Sequence, residues 1–431
     1  MTNDVLTTLE ERGYLHQCTN LNGLRRLLQS GKKITFYLGI DPTADSLHIG
    51  HFTALMMFRY LQDAGHRGIL LIGGATAMVG DPTGKSDIRQ MLLQEQVEHN
   101  IAEVRELAKK FIRMDGDNPA IIVNNADWTN NFTYVEYMRY VGIHFNINTM
   151  LAAEAYANRL KEGGLTFLEM GYMLMQAYDF VHLYETYGCV LQIGGSDQWG
   201  NIVAGNTLNR KMRFAQKNNE NPSEMQTDTG DNEDGDADTG ELFGLTCPLL
   251  LTKDGVKMGK TESGTLWVAR DKTTAYDFYQ YFYNVEDQDV EQLLMRFTRI
   301  PSEEIQEVCS TDIISAKRTM AYEITKLVHG QQDADAVLDT VRSLFGDEAS
   351  GENAPESDFV IEGQEINVVE LFFQSGFVAT KSEVRRLIQQ NGASVDGDVV
   401  GSHEDMVARP GDRDYVLLKK GKRNYLKVRF R

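Results

Sequence analysis

The stretch "KITFYLGI" (33–40), running directly into "DPTADSLHIGHF" (41–52), decides how this chain folds. Residues 34–40 are a short apolar run of β-formers, followed by Asp41 and Pro42, which is the pattern of a buried strand. The next segment, "LHIGHFTALMMFRYLQDAG" (47–65), has the period of a helix, with Asp45 and Ser46 as candidate N-caps. The alternation continues. "GILLIGGA" (68–75), "AIIVNN" (120–125) and "CVLQIGG" (189–195) read as further buried strands, and "FLEMGYMLMQAYDFVHLYETYG" (167–188) as a helix. Strands and helices in alternation imply a Rossmann-like α/β domain, a parallel sheet covered on both faces, with ligands beyond the C-terminal strand ends.

The two histidines of "HIGH", His48 and His51, are three residues apart at the start of that first helix. A zinc site would need further ligands, and no Cys or Glu-x-x-His partner lies nearby, so no metal is expected here. Two readings stay open on these residues alone: rings that cap or pack a helix, or neutral donors to a polyphosphate. A helix N-terminus attracts phosphate, and Gly50 would let a nucleotide lie close.

Two other motifs fail on spacing. "GDPTGKSD" (80–87) has three residues between Gly80 and Gly84 where a P-loop needs four, although Lys85 and Arg89 remain basic residues on a loop after a strand. An acidic run aligned on Asp234, Asp236 and Asp238 puts Thr239 where a calcium loop needs Gly and Leu245 where it needs Glu. A third element, "LLTKDGVKMGKTESG" (250–264), sets Lys257 and Lys260 three apart in a Gly-rich loop. It is either a solvated hairpin or a pair of point charges that closes on a polyphosphate.

With 431 residues, two or three domains are expected. No apolar run is long enough for a membrane helix. The N-terminal residues, with Asp4, Glu10 and Glu11, read as neither a secretory signal nor a transit peptide. Cys18, Cys189, Cys247 and Cys309 lie far apart with no C-x-x-C, so a reduced, cytoplasmic setting is expected. The net charge of −19 argues against nucleic acid until its distribution is read. Residues 218–240 hold eight acids and no Lys or Arg, and read as a disordered surface insertion. The last thirteen, "KKGKRNYLKVRFR" (419–431), hold seven basic residues and no acid, which suits RNA at that end. Between these, 271–345 looks mostly helical, "GDEASGENAPESD" (346–358) reads as linker, and "SEVRRLIQQNG" reads as a helix ending at Gly392. Strand-like runs "ASVDGDVV" and "DYVLLKK" come after it.

Taken in order, "YLGIDPTADSLHIGH" (37–51), "GGATAMVGDPTGKS" (73–86), "YMLMQAYDF" (172–180), "GGSDQWGN" (194–201) and "KMGKT" (257–261) resemble class I aminoacyl-tRNA synthetases, and among them bacterial-type tyrosyl-tRNA synthetases. The likeness spans nearly the whole chain. Its end resembles the small RNA-binding domain shared with some ribosomal proteins and pseudouridine synthases. The chain departs from the pattern in the acidic insertion, which has no assigned role, and in Gly259 and Thr261, where the broader class has serines.

That resemblance implies a division into a catalytic domain (1–217), the acidic insertion (218–240), a mobile KMSKS-type loop region (241–270), an α-helical tRNA-contacting domain (271–345), a linker (346–360) and a small RNA-binding domain (361–431). It implies activation of L-tyrosine by Mg-ATP, the magnesium arriving with the substrate and no cofactor tightly bound, then transfer to tRNA(Tyr), by a homodimer. Thr43, His48 and His51 would contact ATP, with Lys257 and Lys260 closing from the loop, Thr261 supporting it, and Lys85 and Arg89 adding charge as pyrophosphate leaves. Asp81, Tyr172 and Gln176 would hold the substrate ammonium, Tyr37 and Asp179 its phenol, and Gln198 the carboxylate region. Gly39, Asp41, Gly50, Gly195 and Asp197 would lie along the nucleotide and adenylate. A cytidylyltransferase-like enzyme would share the H-x-G-H turn but needs no C-terminal RNA-binding unit. A tryptophanyl enzyme fits Tyr37 and Asp179 less well, and a non-catalytic RNA binder needs none of the His and Lys pairs.

Overall fold

The computed structural model describes residues 4–82, 92–162, 164–218, 241–252, 255, 257–261, 264–345, 354–411, 413–421 and 424–431. Lys85, Arg89 and nearly all of the acidic insertion lie outside them, as do the side chains of Lys260 and Thr261.

Six strands make the central sheet: β1 (Gln17–Cys18), β2 (Thr35–Ile40), β3 (Arg67–Ile72), β4 (Ile121–Asn124), β5 (Cys189–Gly195) and β6 (Phe243–Cys247), in the spatial order β1-β6-β5-β2-β3-β4. All neighbours are parallel except β1, which runs antiparallel to β6. The strands are apolar because both faces are covered: every residue of β6 and all but the first of β3 are buried. Crossover helices cover them, among them Phe52–Asp63, Gly74–Val79 and Phe167–Tyr187. The last is opened by a Thr166–Glu169 capping box and closed by Gly188 in the left-handed conformation.

The four strands expected from sequence are present, and two others change the domain reading. β6 comes after the acidic insertion, yet it lies inside the sheet between β1 and β5. The catalytic domain therefore does not end at residue 217, and the stretch 241–270 begins with a core strand rather than a loop. The helices Ala275–Tyr283, Asp287–Phe297, Ser302–Thr311 and Ile313–His329 also fail to separate as a domain over 271–345: Phe278 and Phe297 pack on Phe52, at the start of the first crossover helix. The chain divides instead into compact units of residues 1–328 and 329–431.

The second unit has its own core, with Phe372, Val384, Leu418 and Val428 fully buried. It contains the helices Gln331–Phe345, Val368–Gln374 and Lys381–Gln389, and a five-stranded sheet. The expected linker is in part a strand of that sheet, Glu356–Ile361, running parallel to the last strand, Asn424–Phe430. The helix Lys381–Gln389 ends three residues before Gly392, with Gln390 as its C-cap and Asn391 after it in the left-handed conformation (φ 55°). The basic tail is likewise in part strand, and among its described residues three of the charges have acidic partners. Lys420 pairs with Glu383 (3.3 Å), Lys427 with Glu356 (3.4 Å), and Arg429 with both Glu356 and Asp414 (2.8 Å to the latter). Seven basic residues in sequence are therefore not seven cations free for phosphate.

Candidate active site

Beyond the C-terminal ends of β2, β5 and β6 opens a cleft of about 760 Å³. Among the described residues it gathers every expected site residue whose side chain is described: Tyr37, Gly39, Asp41, Thr43, His48, Gly50, His51, Asp81, Tyr172, Gln176, Asp179, Gly195, Asp197, Gln198 and Lys257. Positions 172, 176 and 179 share one face of the Phe167–Tyr187 helix, as their spacing requires.

One end of the cleft is a closed polar network. Asp179 is 2% exposed, with Asn125 Nδ2 donating to Oδ2 (3.0 Å) and Trp128 Nε1 donating to Oδ1 (2.8 Å). Burial pushes its carboxyl up from the usual range to about 7, against the pull of those two donors. Asn125 also donates to Thr76 Oγ1 (3.0 Å), and Thr76 donates to Asp41 Oδ1 (2.7 Å). Tyr172 Oη donates to Asp41 Oδ2 (2.9 Å), which ties Asp41 to this end of the cleft. Gln198 Nε2 donates to Asp81 Oδ2 (2.7 Å). Four atoms stand out by contrast. The Tyr37 hydroxyl, Thr53 Oγ1, Gln176 Oε1 and Gln192 Oε1 on β5 are buried and have no protein hydrogen-bond partner. Buried polar atoms without partners are uncommon, and here all four residues line the cleft. Asn125, Trp128, Thr76 and Gln192 escape a sequence reading; the only signal is a polar cluster, "NNADW", at a strand end.

The other end is the "HIGH" turn. Neither Asp45 nor Ser46 caps it: Asp45 pairs with Lys272 (2.9 Å), and Ser46 Oγ accepts from Ala269 N–H (3.1 Å). His48 is itself the cap. Its Nδ1 accepts from Gly50 N–H (3.0 Å), while His51 Nδ1 accepts from His48 N–H (3.2 Å), and the rings stack with centroids 4.0 Å apart. With Nδ1 accepting, a neutral ring carries its proton on Nε2, so each imidazole is a donor through Nε2. Burial, then the neighbouring His48, holds His51 well below its usual titration range, which keeps it neutral. The space at Gly50 is set by this turn, since a Cβ there would lie 2.8 Å from His48 Cε1. Lys257 lines the cleft and opposes the upward push that burial and Asp81 exert on the Asp197 carboxyl.

The profile of the family described as "tRNA synthetases class I (W and Y)" matches residues 29–346. This chain belongs to that family. It is 43% identical over 429 residues to the tyrosine–tRNA ligase of Clostridium kluyveri, covering 99% of each chain, and 42% identical over 432 residues to that of Acetivibrio thermocellus, again 99% of each. Among solved structures it superposes on a C-terminally truncated mitochondrial tyrosyl-tRNA synthetase of Aspergillus nidulans with a TM-score of 0.66, at 31% identity over 80% of this chain and 94% of that one. The central sheet from β2 to β6 and the "HIGH" and "KMGKT" elements all lie within the matched residues.

Proposed function

We propose that this chain activates L-tyrosine with Mg-ATP and transfers the tyrosyl group to tRNA(Tyr). The tyrosine carboxylate attacks the α-phosphorus of ATP, the bond to the bridging oxygen breaks, and pyrophosphate leaves. A hydroxyl of the terminal ribose of tRNA then attacks the carbonyl carbon of the adenylate and AMP leaves. The carboxylate is already a nucleophile, so the protein contributes position and stabilisation of the charge developing on pyrophosphate. His48 and His51 offer neutral Nε2 donors at the phosphate end. Lys257 and, from the same loop, Lys260 offer positive charge, with Thr261, Lys85 and Arg89 in supporting roles.

The observation that carries the choice of amino acid is the pairing of a buried, unpartnered Tyr37 hydroxyl with an Asp179 fixed by Asn125 and Trp128. A phenol hydroxyl can donate to the carboxylate and accept from Tyr37, whereas an indole N–H only donates. Tyrosine-dependent exchange of labelled pyrophosphate into ATP tests it. Exchange with tryptophan in preference to tyrosine, or none with either, would overturn it.

The second unit serves tRNA in this reading. A chain ending at residue 345 is expected to keep pyrophosphate exchange and lose most charging. The homodimer has support in exposed apolar side chains between residues 134 and 168, among them Tyr134 (67% exposed), Val135 (63%) and Phe167 (65%). Changing Phe167 to Asp should raise the monomer fraction in sedimentation. A cytoplasmic location accords with the role, and no described helix is long and apolar enough to cross a membrane.

A further inference from the structure

The "KMGKT" loop is held at one point by a side chain that the reaction does not otherwise use. Gly259 is buried in the turn, at φ 86°. Its carbonyl accepts from Leu266 N–H (2.7 Å), and its own N–H donates to the hydroxyl of Tyr281 (2.7 Å), on the helix Ala275–Tyr283. The opposite side of Gly259 lies on Ile49 of the "HIGH" turn, so closely that a Cβ would stand 2.1 Å from Ile49 Cγ2. Positive φ and this approach both require glycine, where the broader class has serine. A buried amide in such a turn is costly without an acceptor, and the phenol oxygen is the acceptor present.

We infer that Tyr281 is a positioning residue for the lysine loop: its phenol oxygen holds the Gly259 amide and keeps the loop docked on Ile49 with Lys257 in the cleft. The anchor is rigid. Tyr281 packs edge-on against Phe282, the neighbouring Phe278 packs on Phe52, and Phe52 comes directly after the "HIGH" turn that carries Ile49. The loop is therefore gripped between two parts of one aromatic block, and Met258, also buried, adds an apolar contact. Chemistry that needs Lys257 proceeds only from the docked state, so its rate scales with the docked population. Loss of one neutral hydrogen bond shifts the ratio of docked to undocked loop by about two- to tenfold.

The inference rests on the activity proposed above, and the test separates the two. Tyr281→Phe keeps the ring and removes one oxygen. Its kcat for pyrophosphate exchange should fall, by up to about tenfold, with the KM for tyrosine unchanged. Trypsin should cut after Lys257 and Lys260 faster than in wild type at unchanged Tm. A variant equal to wild type in both kcat and cleavage rate overturns the latch. So does one whose Tm and tyrosine affinity fall together, since that marks a general packing role. If wild type shows no tyrosine-dependent exchange, the functional reading fails, while the cleavage rates still judge the latch.

Discussion

The two ends of the cleft are built by different means. At the Asp179 end, each carboxylate oxygen has its own donor, and those donors are fixed on the residue after β4 and the short helix beyond it. At the "HIGH" end two stacked imidazoles sit on a single turn, and Lys257 lines the cleft from a loop whose Gly259 N–H donates to Tyr281. Selection of a neutral side chain demands a site finished before the ligand arrives, because discrimination depends on polar groups that cannot relax. Stabilising a charge that appears only as a bond breaks asks for groups that can be brought up and withdrawn. Rigidity is placed where specificity is needed.

The contrast can be broken by substitution. His48→Ala should cost most, about 100- to 1,000-fold in kcat for adenylate formation, the usual loss for a donor to developing negative charge. Tyrosine affinity measured without ATP should hardly change; equal damage to both would erase the distinction between the ends.

Asp179→Asn should cost about 10- to 100-fold in kcat/KM for tyrosine, the scale of a charge-assisted hydrogen bond. Its titration sharpens the point. The folded-state pKa, about 7, lies above the ordinary carboxylate value, so the protonated fold is favoured at low pH. That contribution is lost as pH rises through about 7. A phenol donating to Asp179 prefers the ionised form, so tyrosine should bind more tightly as pH rises towards that value and level off above it. Equilibrium binding across the transition checks this, and the slope should vanish in Asp179→Asn.

The smallest effect is expected at Tyr37. Tyr37→Phe removes one neutral partner and should lower the preference for tyrosine over phenylalanine by about tenfold, read as the ratio of kcat/KM values in exchange. Tyrosyl-tRNA synthetases are themselves the established example of this kind of selection, at roughly 10⁵ against phenylalanine, far more than one such bond supplies.

Sequence made legible whatever is local or periodic. The strands β2, β3 and β5 were readable because burial leaves an apolar run, the half-buried edge strand β4 by its β-formers, and the 172-176-179 face of the long helix because a shared face leaves a fixed spacing. β6 was not, because "FGLTC" has no alternation and comes after a polar stretch that resembles a boundary. Asn125 and Thr76 look like turn formers until β4 and the helix after β3 set them beside Asp179. The partners of the basic tail were not legible either: charge counts ignore them, and Glu383, Asp414 and Glu356 reach Lys420, Arg429 and Lys427 only through the fold.

The place of β6 also bears on how the chain is made. As synthesis proceeds from the N-terminus, β2 to β5 emerge first and can pair among themselves, but β5 keeps one edge bare until Phe243–Cys247 has left the ribosome. During that interval the edge presents unpaired N–H and C=O groups flanked by Leu191 and Ile193, a template for pairing with another nascent chain. Slowing translation just before residue 243 should therefore lower soluble yield more than an equal pause within the second unit, after residue 329.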